Sequence, residues 1–522
     1  MLGTRMSAFL KLSKRDLKYD FPASIVVFLV ALPLCLGIAM ASGAPLFAGV
    51  LTGVIGGIIV GSLSGSSLSV SGPAAGLTVI VFGAIQNLGT YETFLLAVLL
   101  AGVIQLVLGV IKAGIIGNYF PSSVILGMLA AIGITIILKQ LPLALGMTES
   151  HAFELDNGGG ITAYANTIFS SINWGATIVC ALSLFVLIFW PSFKYVNKIP
   201  APLVVVLLGV GLATVFQNTS LGLISSHFVS IPSVSSFSEF TGLFVFPDFT
   251  QIVNKEVWIV ALTIAIIASL ETLLSLEAID KLDPFKRNSP TNRELMAQGI
   301  GNMTSGLLGG LPMTSVIVRS SANANSGGRT RQSAILHGMW LLVALIAIPT
   351  LINLIPLACL AAILLHTGYN LAKPALFQQM FRKGLDQFIP FTITVIAIVF
   401  TDLLMGVGIG ILVATFYILR ANMQNAYKFE INEAQTAVLT LAEEVSFLNK
   451  VPIQQKLYNI PKSVDKVVID GQNSKFIDKD VIEVLKDFEQ NALSKGLGIE
   501  LVDVTTKRKK IHINEQKLQN IV

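Results

Sequence analysis

Between Phe21 and Ile111 the chain carries a single charged side chain, Glu92. A run of that length with one charge cannot become a water-soluble domain, because it has too few ionised groups to cover a surface. Soluble domains carry about 25% charged residues. This chain of 522 residues carries 12%, with 53% hydrophobic residues and a mean hydropathy of +0.74. The apolar stretches are continuous rather than alternating, which predicts membrane-spanning α-helices and not a β-barrel. Soluble enzymes, secreted modules and disordered proteins are excluded on the same ground.

Composition shifts near Arg420. Before it the sequence predicts about fourteen membrane elements. Twelve are long enough to span: 22–41, 45–62, 93–111, 121–140, 175–191, 200–216, 256–279, 293–310, 331–349, 351–366, 388–402 and 403–420. Two, near 73–86 and 313–325, are too short or too polar. After Arg420 charges return at ordinary density. Ala437–Leu441, Lys466–Ile469 and Gly498–Val504 are β-like, and Asp478–Gln490 has a helical pattern, so the tail reads as a small α/β domain.

Charge distribution sets the expected topology. The N-terminus is basic (Lys11, Lys14, Arg15, Lys18) and leads straight into apolar sequence, without the pattern of a cleavable signal. An even number of crossings puts both termini on one side. The loops on that side hold Lys112, Lys194, Lys198, Lys281, Lys286, Arg287, Arg293, Arg329, Arg331, Lys373, Arg382 and Lys383. Loops on the other side hold Glu92, Glu149, Glu154, Asp156, Glu239 and Asp248, with Lys139 and Lys255 as exceptions. Basic loops are retained in the cytoplasm, so both termini are expected there. The net charge of +5 reports this topology and not nucleic-acid binding. Cys35, Cys180 and Cys359 lie in apolar segments and read as small core residues.

The two short elements are the most informative. One follows a Gly/Ser-rich stretch ending in Gly72-Pro73, the other a stretch ending in Leu311-Pro312. Each reads as an extended segment, then a proline in the first helical turn, then a half-length helix. The prolines lie about 240 residues apart, as do the first and eighth spans. Seven elements intervene, an odd number, so the second half is inserted upside down. Matched broken helices in an inverted repeat point to a transporter site. Half-helix N-termini near the midplane expose unpaired N–H groups and attract anions. Arg319, within the second short helix, either adds positive potential there or reaches towards Arg329 and Arg331 at the membrane edge. Glu271 lies deep in the eighth span, and Ser275 follows it by one turn on the same face. A carboxylate there can bind Na⁺, take up a proton, or pair with Arg319. Gly53, Gly57, Gly61 and Gly65 form a ridge for close helix packing. The five histidines show no metal-ligand spacing, no nucleophile–base set stands out, and Gly158-Gly159-Gly160 lacks the partners of a phosphate loop. No enzyme activity and no cofactor are expected.

The sequence resembles the SulP family of inorganic anion transporters. The likeness rests on Ala31-Leu32-Pro33-Leu34 to Ala41-Ser42-Gly43-Ala44-Pro45, on Ser71-Gly72-Pro73, and on Asn292-Arg293-Glu294-Leu295, Gln298 to Asn302 and Gly309 to Arg319. It covers almost the whole chain. The resemblance implies a seven-plus-seven transmembrane inverted repeat. Its core domain would hold about 21–112 and 256–349, and its gate domain about 121–216 and 351–420. A cytoplasmic segment 1–20, a linker 421–436 and a STAS-like tail 437–522 complete the chain. It further implies elevator-type movement, a homodimer, and an integral protein of the bacterial inner membrane in contact with lipid.

The anion would contact Gly72, Pro73, Ala74, Ala75, Thr78, Met313, Thr314, Ser315 and Arg319. Glu271 and Ser275, with Gly310 and Pro312, would hold the coupling ion, Na⁺ or H⁺. Leu34, where many sulfate-transporting members have Gln, tilts the expectation to bicarbonate by Na⁺ symport. Ala74, where some bicarbonate members have Thr, tilts it back. Proton-coupled sulfate transport, or an uncoupled chloride exchanger or channel, are the alternatives. A nucleobase transporter would need a second acidic or amide group within 313–318, and none is present. In the tail, Val467 to Asp470 and Phe476 to Asp478 resemble the STAS core. Lys479 and Asp480 stand where related soluble regulators carry a phosphorylatable Ser.

Overall fold

A computed structural model of the chain describes residues 14–115, 121–147, 172–192, 199–232, 237–401, 403–424, 427–432, 435–461, 463–494 and 497–504. Lys11, the acidic loop with Glu149, Glu154 and Asp156, the Gly158–Gly160 run, His151, Lys194, Lys198 and His512 lie outside these residues. The chain forms two compact units, 1–382 with 391–409, and 383–390 with 410–522.

The first seven membrane elements are α1 (Lys14–Ala41), α2 (Leu46–Leu63), β1 (Ser71–Pro73) leading into α3 (Thr78–Leu88), α4 (Tyr91–Val110), α5 (Ser122–Ala144), α6 (Trp174–Phe189) and α7 (Ala201–Phe216). The second seven repeat that series. They are α8 (Lys255–Leu282), α9 (Thr291–Leu308), β2 (Met313–Ser315) leading into α10 (Ile317–Asn325), α11 (Gln332–Ala347), α12 (Leu357–Leu371), α13 (Leu385–Phe400) and α14 (Leu403–Gln424). Six of the described helices are long and apolar enough to cross a membrane unaided.

The halves pack as equivalents. α2 packs on α11, and its counterpart α9 packs on α4; α1 packs on α11, and α8 on α4. Glycine makes both main contacts possible. A methyl on Gly57 would lie 2.6 Å from the Gly338 Cα, and one on Gly299 would lie 2.6 Å from the Leu106 nitrogen. Main chain therefore meets main chain on each side, as small-residue helix interfaces require. Gly53 and Gly61 of the expected ridge also face α11, through Leu341 and Ile335, whereas Gly65 lies past the helix against Pro290. Alpha-helix α2 widens to a π-turn at Gly56–Val60, where Gly56 comes within contact of Ser71. π-Turns inside α-helices are frequent at functional sites.

The broken helices start differently from the sequence expectation. Neither proline opens a helix. Pro73 ends β1, and a 3₁₀ turn (Ala75–Leu77) precedes α3; Pro312 precedes β2, and α10 begins only at Ile317. A proline has no N–H to give a ladder, but the two short strands need few bonds. They pair antiparallel, Ser71 with Ser315, Gly72 with Thr314 and Pro73 with Met313. Arg319 is consequently in the first turn of α10, not its second.

In the second unit, β3 (Tyr427–Ile431), β4 (Thr436–Leu441), β5 (Lys466–Asp470) and β6 (Gly498–Val502) form one sheet in the order β3-β4-β5-β6. Only β3–β4 is antiparallel. Helices α15 (Lys450–Tyr458) and α16 (Lys479–Ser494) complete it. Leu439, Ile469, Val481 and Leu485 are among its buried core. The stretch 421–436, expected to be a linker, instead continues α14 to Gln424 and supplies β3. The alternation of Tyr427, Phe429 and Ile431 is the signal for that strand.

Candidate functional site

The crossing of β1 and β2 is the centre of the first unit, and it is built from buried polar groups. Ser315 Oγ lies 2.6 Å from Ser69 Oγ, and Ser320 Oγ accepts the Val70 N–H at 2.9 Å. The Met313 N–H donates to Asn302 Oδ1 at 2.7 Å, and Asn302 Nδ2 donates to Gln105 Oε1 at 2.6 Å. Gln298 Nε2 donates to Ser71 Oγ at 2.6 Å and to Glu294 Oε1 at 3.1 Å; Ser64 Oγ donates to Glu294 Oε2 at 2.5 Å. Glu294 is fully buried. In a low-dielectric interior an unpartnered member of such a network is costly, and here Gln298 Oε1 makes no hydrogen bond. Glu294→Gln can still accept from Ser64, so it is expected to stay folded. Glu294→Ala strands the Ser64 and Gln298 donors, at about 1–3 kcal/mol each. Thermal unfolding in detergent would separate the two variants.

Above this network sit the two half-helix starts. Their N-cap residues, Ala74 and Val316, make no side-chain cap. Uncapped first turns leave N–H donors for another acceptor. Pro73, Ala74, Thr78, Met313, Thr314 and Ser315 are all buried, and Ala75 is partly exposed. The hydroxyls expected to meet an anion are engaged within the protein: Thr78 Oγ1 donates to the Ala75 carbonyl at 2.8 Å, and Ser315 Oγ is held by Ser69.

Arg319 is completely buried. It does not reach for the membrane edge near Arg329 and Arg331. Its Nη2 donates to Cys35 Sγ at 3.3 Å, while Nε and Nη1 have no partner. Nη1 occupies the space that a methyl on Gly72 would need. A guanidinium with unspent donors beside two helix N-termini is suited to an oxyanion. Cys35 as its neighbour was not legible in the sequence, because the contact joins residues 284 apart.

Helix α8 touches both broken elements, the turn before α3 and strand β2, with adjacent residues. A methyl on Gly76 would lie 2.7 Å from Glu271 Oε2, so the carboxylate rests against the turn that opens α3. Glu271 Oε2 is shut off from solvent without a hydrogen-bond partner. Next along, Thr272 Oγ1 accepts the Ser315 N–H at 3.3 Å. Ser275 is buried one turn on. Gly310 and Leu311 are held elsewhere: a methyl on Gly310 would meet Ser305 and Thr52 first, and the Leu311 N–H donates to Thr52 Oγ1 at 2.6 Å. The structure thus brings Glu271 to the α3 start. It commits the Gly310–Pro312 stretch to α2 and α9.

Two cavities lie at opposite ends of this unit. The larger, about 990 Å³, is lined by α1 (Val30, Leu34), by the first turns of α10 (Ile317, Val318) and by α12 (Ile363, His366). It opens where α1 starts and α12 ends. The smaller, about 440 Å³, is lined by Met40, Gly43, Leu143, His227 and Ala358, at the other ends of α1, α5 and α12. Among the described residues, no group of three His, Cys, Asp or Glu could hold a metal ion. Glu277 and Lys281 form an exposed i,i+4 pair, at 2.6 Å.

The sulfate permease family model matches residues 17–396. The chain belongs to that family. It is 32% identical over 82% of its length to YvdB of Bacillus subtilis (strain 168), which is named for sulfate transport; 78% of that protein is covered. It is 26% identical over 84% of its length to the bicarbonate transporter BicA of Picosynechococcus, with 77% of that protein covered. The solved transmembrane domain of a cyanobacterial BicA aligns over 76% of this chain and 99% of its own, at 25% identity and a TM-score of 0.64. The structure of SLC26A9 aligns over 95% of this chain and 86% of its own at 14% identity, with a TM-score of 0.75, and shows the fold alone. The family member in hand is thus an integral membrane anion transporter with an inverted-repeat helical fold and a small α/β tail.

Proposed function

We propose that the protein is a secondary active transporter of a small inorganic oxyanion, bicarbonate taken up with Na⁺. The observation that carries this reading is the unspent donor set at the crossing: Arg319 Nε and Nη1, beside two half-helix N-termini with no side-chain cap. The larger cavity supports it by reaching Ile317 and Val318, in the first turn of α10. The anion binds where Gly72, Ala74 and Ala75 face Thr314, Ser315 and Arg319. Glu271 and Ser275 take the cation, which neutralises a carboxylate whose Oε2 has no hydrogen-bond partner. Apolar Leu34 on the cavity wall favours the bicarbonate reading, as does the name of BicA.

Helices α1–α4 and α8–α11 act as a mobile core against a gate of α5–α7 and α12–α14. Alternate opening of the two cavities moves the site across the membrane as an elevator. Both termini are cytoplasmic, a reading that the one-sided basic loops support, and the membrane is a bacterial inner membrane. The tail is a STAS-like module, and the functional unit is a homodimer. Proton-coupled sulfate transport is the second reading, favoured by the name of YvdB.

Uptake of labelled bicarbonate and sulfate into proteoliposomes tests the choice, with and without an inward Na⁺ gradient. The expected result is bicarbonate accumulation that needs Na⁺. Sulfate accumulation driven by external acid would select the second reading. Uptake indifferent to any cation gradient would overturn coupled transport.

A further inference from the structure

Lys139 stands inside α5, five residues before its end at Ala144, on a side of the membrane where, Lys255 apart, the loops are acidic or neutral. An ionisable side chain at that depth normally has a carboxylate partner, lines a water-filled path, or reaches for the membrane edge. Lys139 is in no ion pair among the described residues. Nor does its ammonium run along α5 towards Ala144. It lies over the ring of Phe82 in α3, 3.9 Å from the ring centre. Phe82 in turn packs against Gly43, where a methyl would come within 3.1 Å of the ring. Gly43 and Leu143, the latter one turn beyond Lys139, both line the smaller cavity. The ring that holds the ammonium is therefore in reach of a residue of that cavity's wall, Gly43. Among the described residues the ammonium's partner is an aromatic side chain on the same half-helix that begins at the crossing.

An aromatic face is a weaker partner for an ammonium than an anion is. A cation held this way is easily exchanged onto a negative ligand arriving from the cavity. We propose that Lys139 is an anion-relay residue: it leaves the Phe82 ring to bind the incoming inorganic anion on the outer approach, before the anion reaches the α3 and α10 starts. This rests on the anion-transport reading above. It adds a binding step on the α5 side that the crossing residues do not supply.

The test is initial uptake by intact cells expressing the full chain, where only the outer face meets labelled bicarbonate or sulfate. Lys139→Gln is expected to raise KM about tenfold with kcat within twofold of wild type, and to weaken the dependence of uptake on ionic strength. Lys139→Arg should restore both. Phe82→Leu, which frees the ammonium, should lower KM two- to threefold; it also serves if Lys139→Gln does not fold. Unchanged KM in Lys139→Gln with normal wild-type uptake would overturn the relay while leaving the transport reading intact. A raised KM in Phe82→Leu would also overturn it. No uptake of either anion by wild type would overturn the transport reading and the relay together.

Discussion

Glu271→Gln is expected to leave the protein folded and to reduce Na⁺-driven accumulation of the anion by about 10- to 100-fold. The amide has the shape of the carboxylate, and the residue has no salt bridge to lose among the described residues. What it removes is the charge against the Gly76 turn, on an oxygen that has no other partner. Contacts to a charged group are worth about 1.5–3 kcal/mol, and 1.4 kcal/mol is a factor of ten in binding. Glu271 and Thr272 address the two broken elements from consecutive positions, so a cation at Glu271 would brace the α3 start while Thr272 holds β2. Losing the cation should then weaken anion binding as well as coupling. Accumulation and equilibrium exchange, measured in the same proteoliposomes, check this. Exchange that persists with accumulation lost is the expected pattern. Full accumulation in the variant would remove Glu271 from the coupling role.

A large effect on folding is expected from one methyl group. Gly299→Ala places a Cβ 2.6 Å from the Leu106 nitrogen and 2.8 Å from the Gly102 carbonyl oxygen. Both are main-chain atoms on α4, and neither can turn aside as a side-chain tip could. Overpacking of this kind costs about 1–3 kcal/mol, against the fraction of a kcal/mol to ~1 kcal/mol that Ala gains over Gly in a helix. Gly338→Ala meets the α2 main chain in the same way on the equivalent interface. Gly211→Ala in α7, with nothing within reach of the new methyl, is the control and should be neutral or slightly stabilising. Thermal unfolding followed by size-exclusion in detergent reads all three. A Gly299→Ala protein as stable as Gly211→Ala would contradict the close approach of α4 and α9.

Glycine spacing and broken helices were readable because they are local. Gly57 to Gly61 repeat at helical period, and the Gly/Ser-rich stretches before Pro73 and Pro312 interrupt otherwise apolar sequence. Period and interruption together dictated a membrane protein of fourteen elements with an inverted repeat, since hydrocarbon tolerates few other arrangements of backbone. Glu271 and Arg319 stood out for the same reason, as charges where charges are costly. The helix starts were misread at both prolines because pairing of β1 with β2 offered the backbone its hydrogen bonds across 240 residues, and no local preference reports that. The strand Tyr427–Ile431, by contrast, has a local signal, the alternation of Tyr427, Phe429 and Ile431, within the stretch expected to be a linker.

Which groups those two charges meet was decided only by tertiary packing. Arg319 lies against Cys35 and Gly72, Glu271 against Gly76, and Lys139 against Phe82, each pair drawn from different elements. Apolar periodicity and the cost of burying charge, both properties of the chain itself, set the number and polarity of the spans. The partner of each buried charge depends on where helices from the two halves come to lie, and that is fixed by glycine contacts and crossing strands between distant segments.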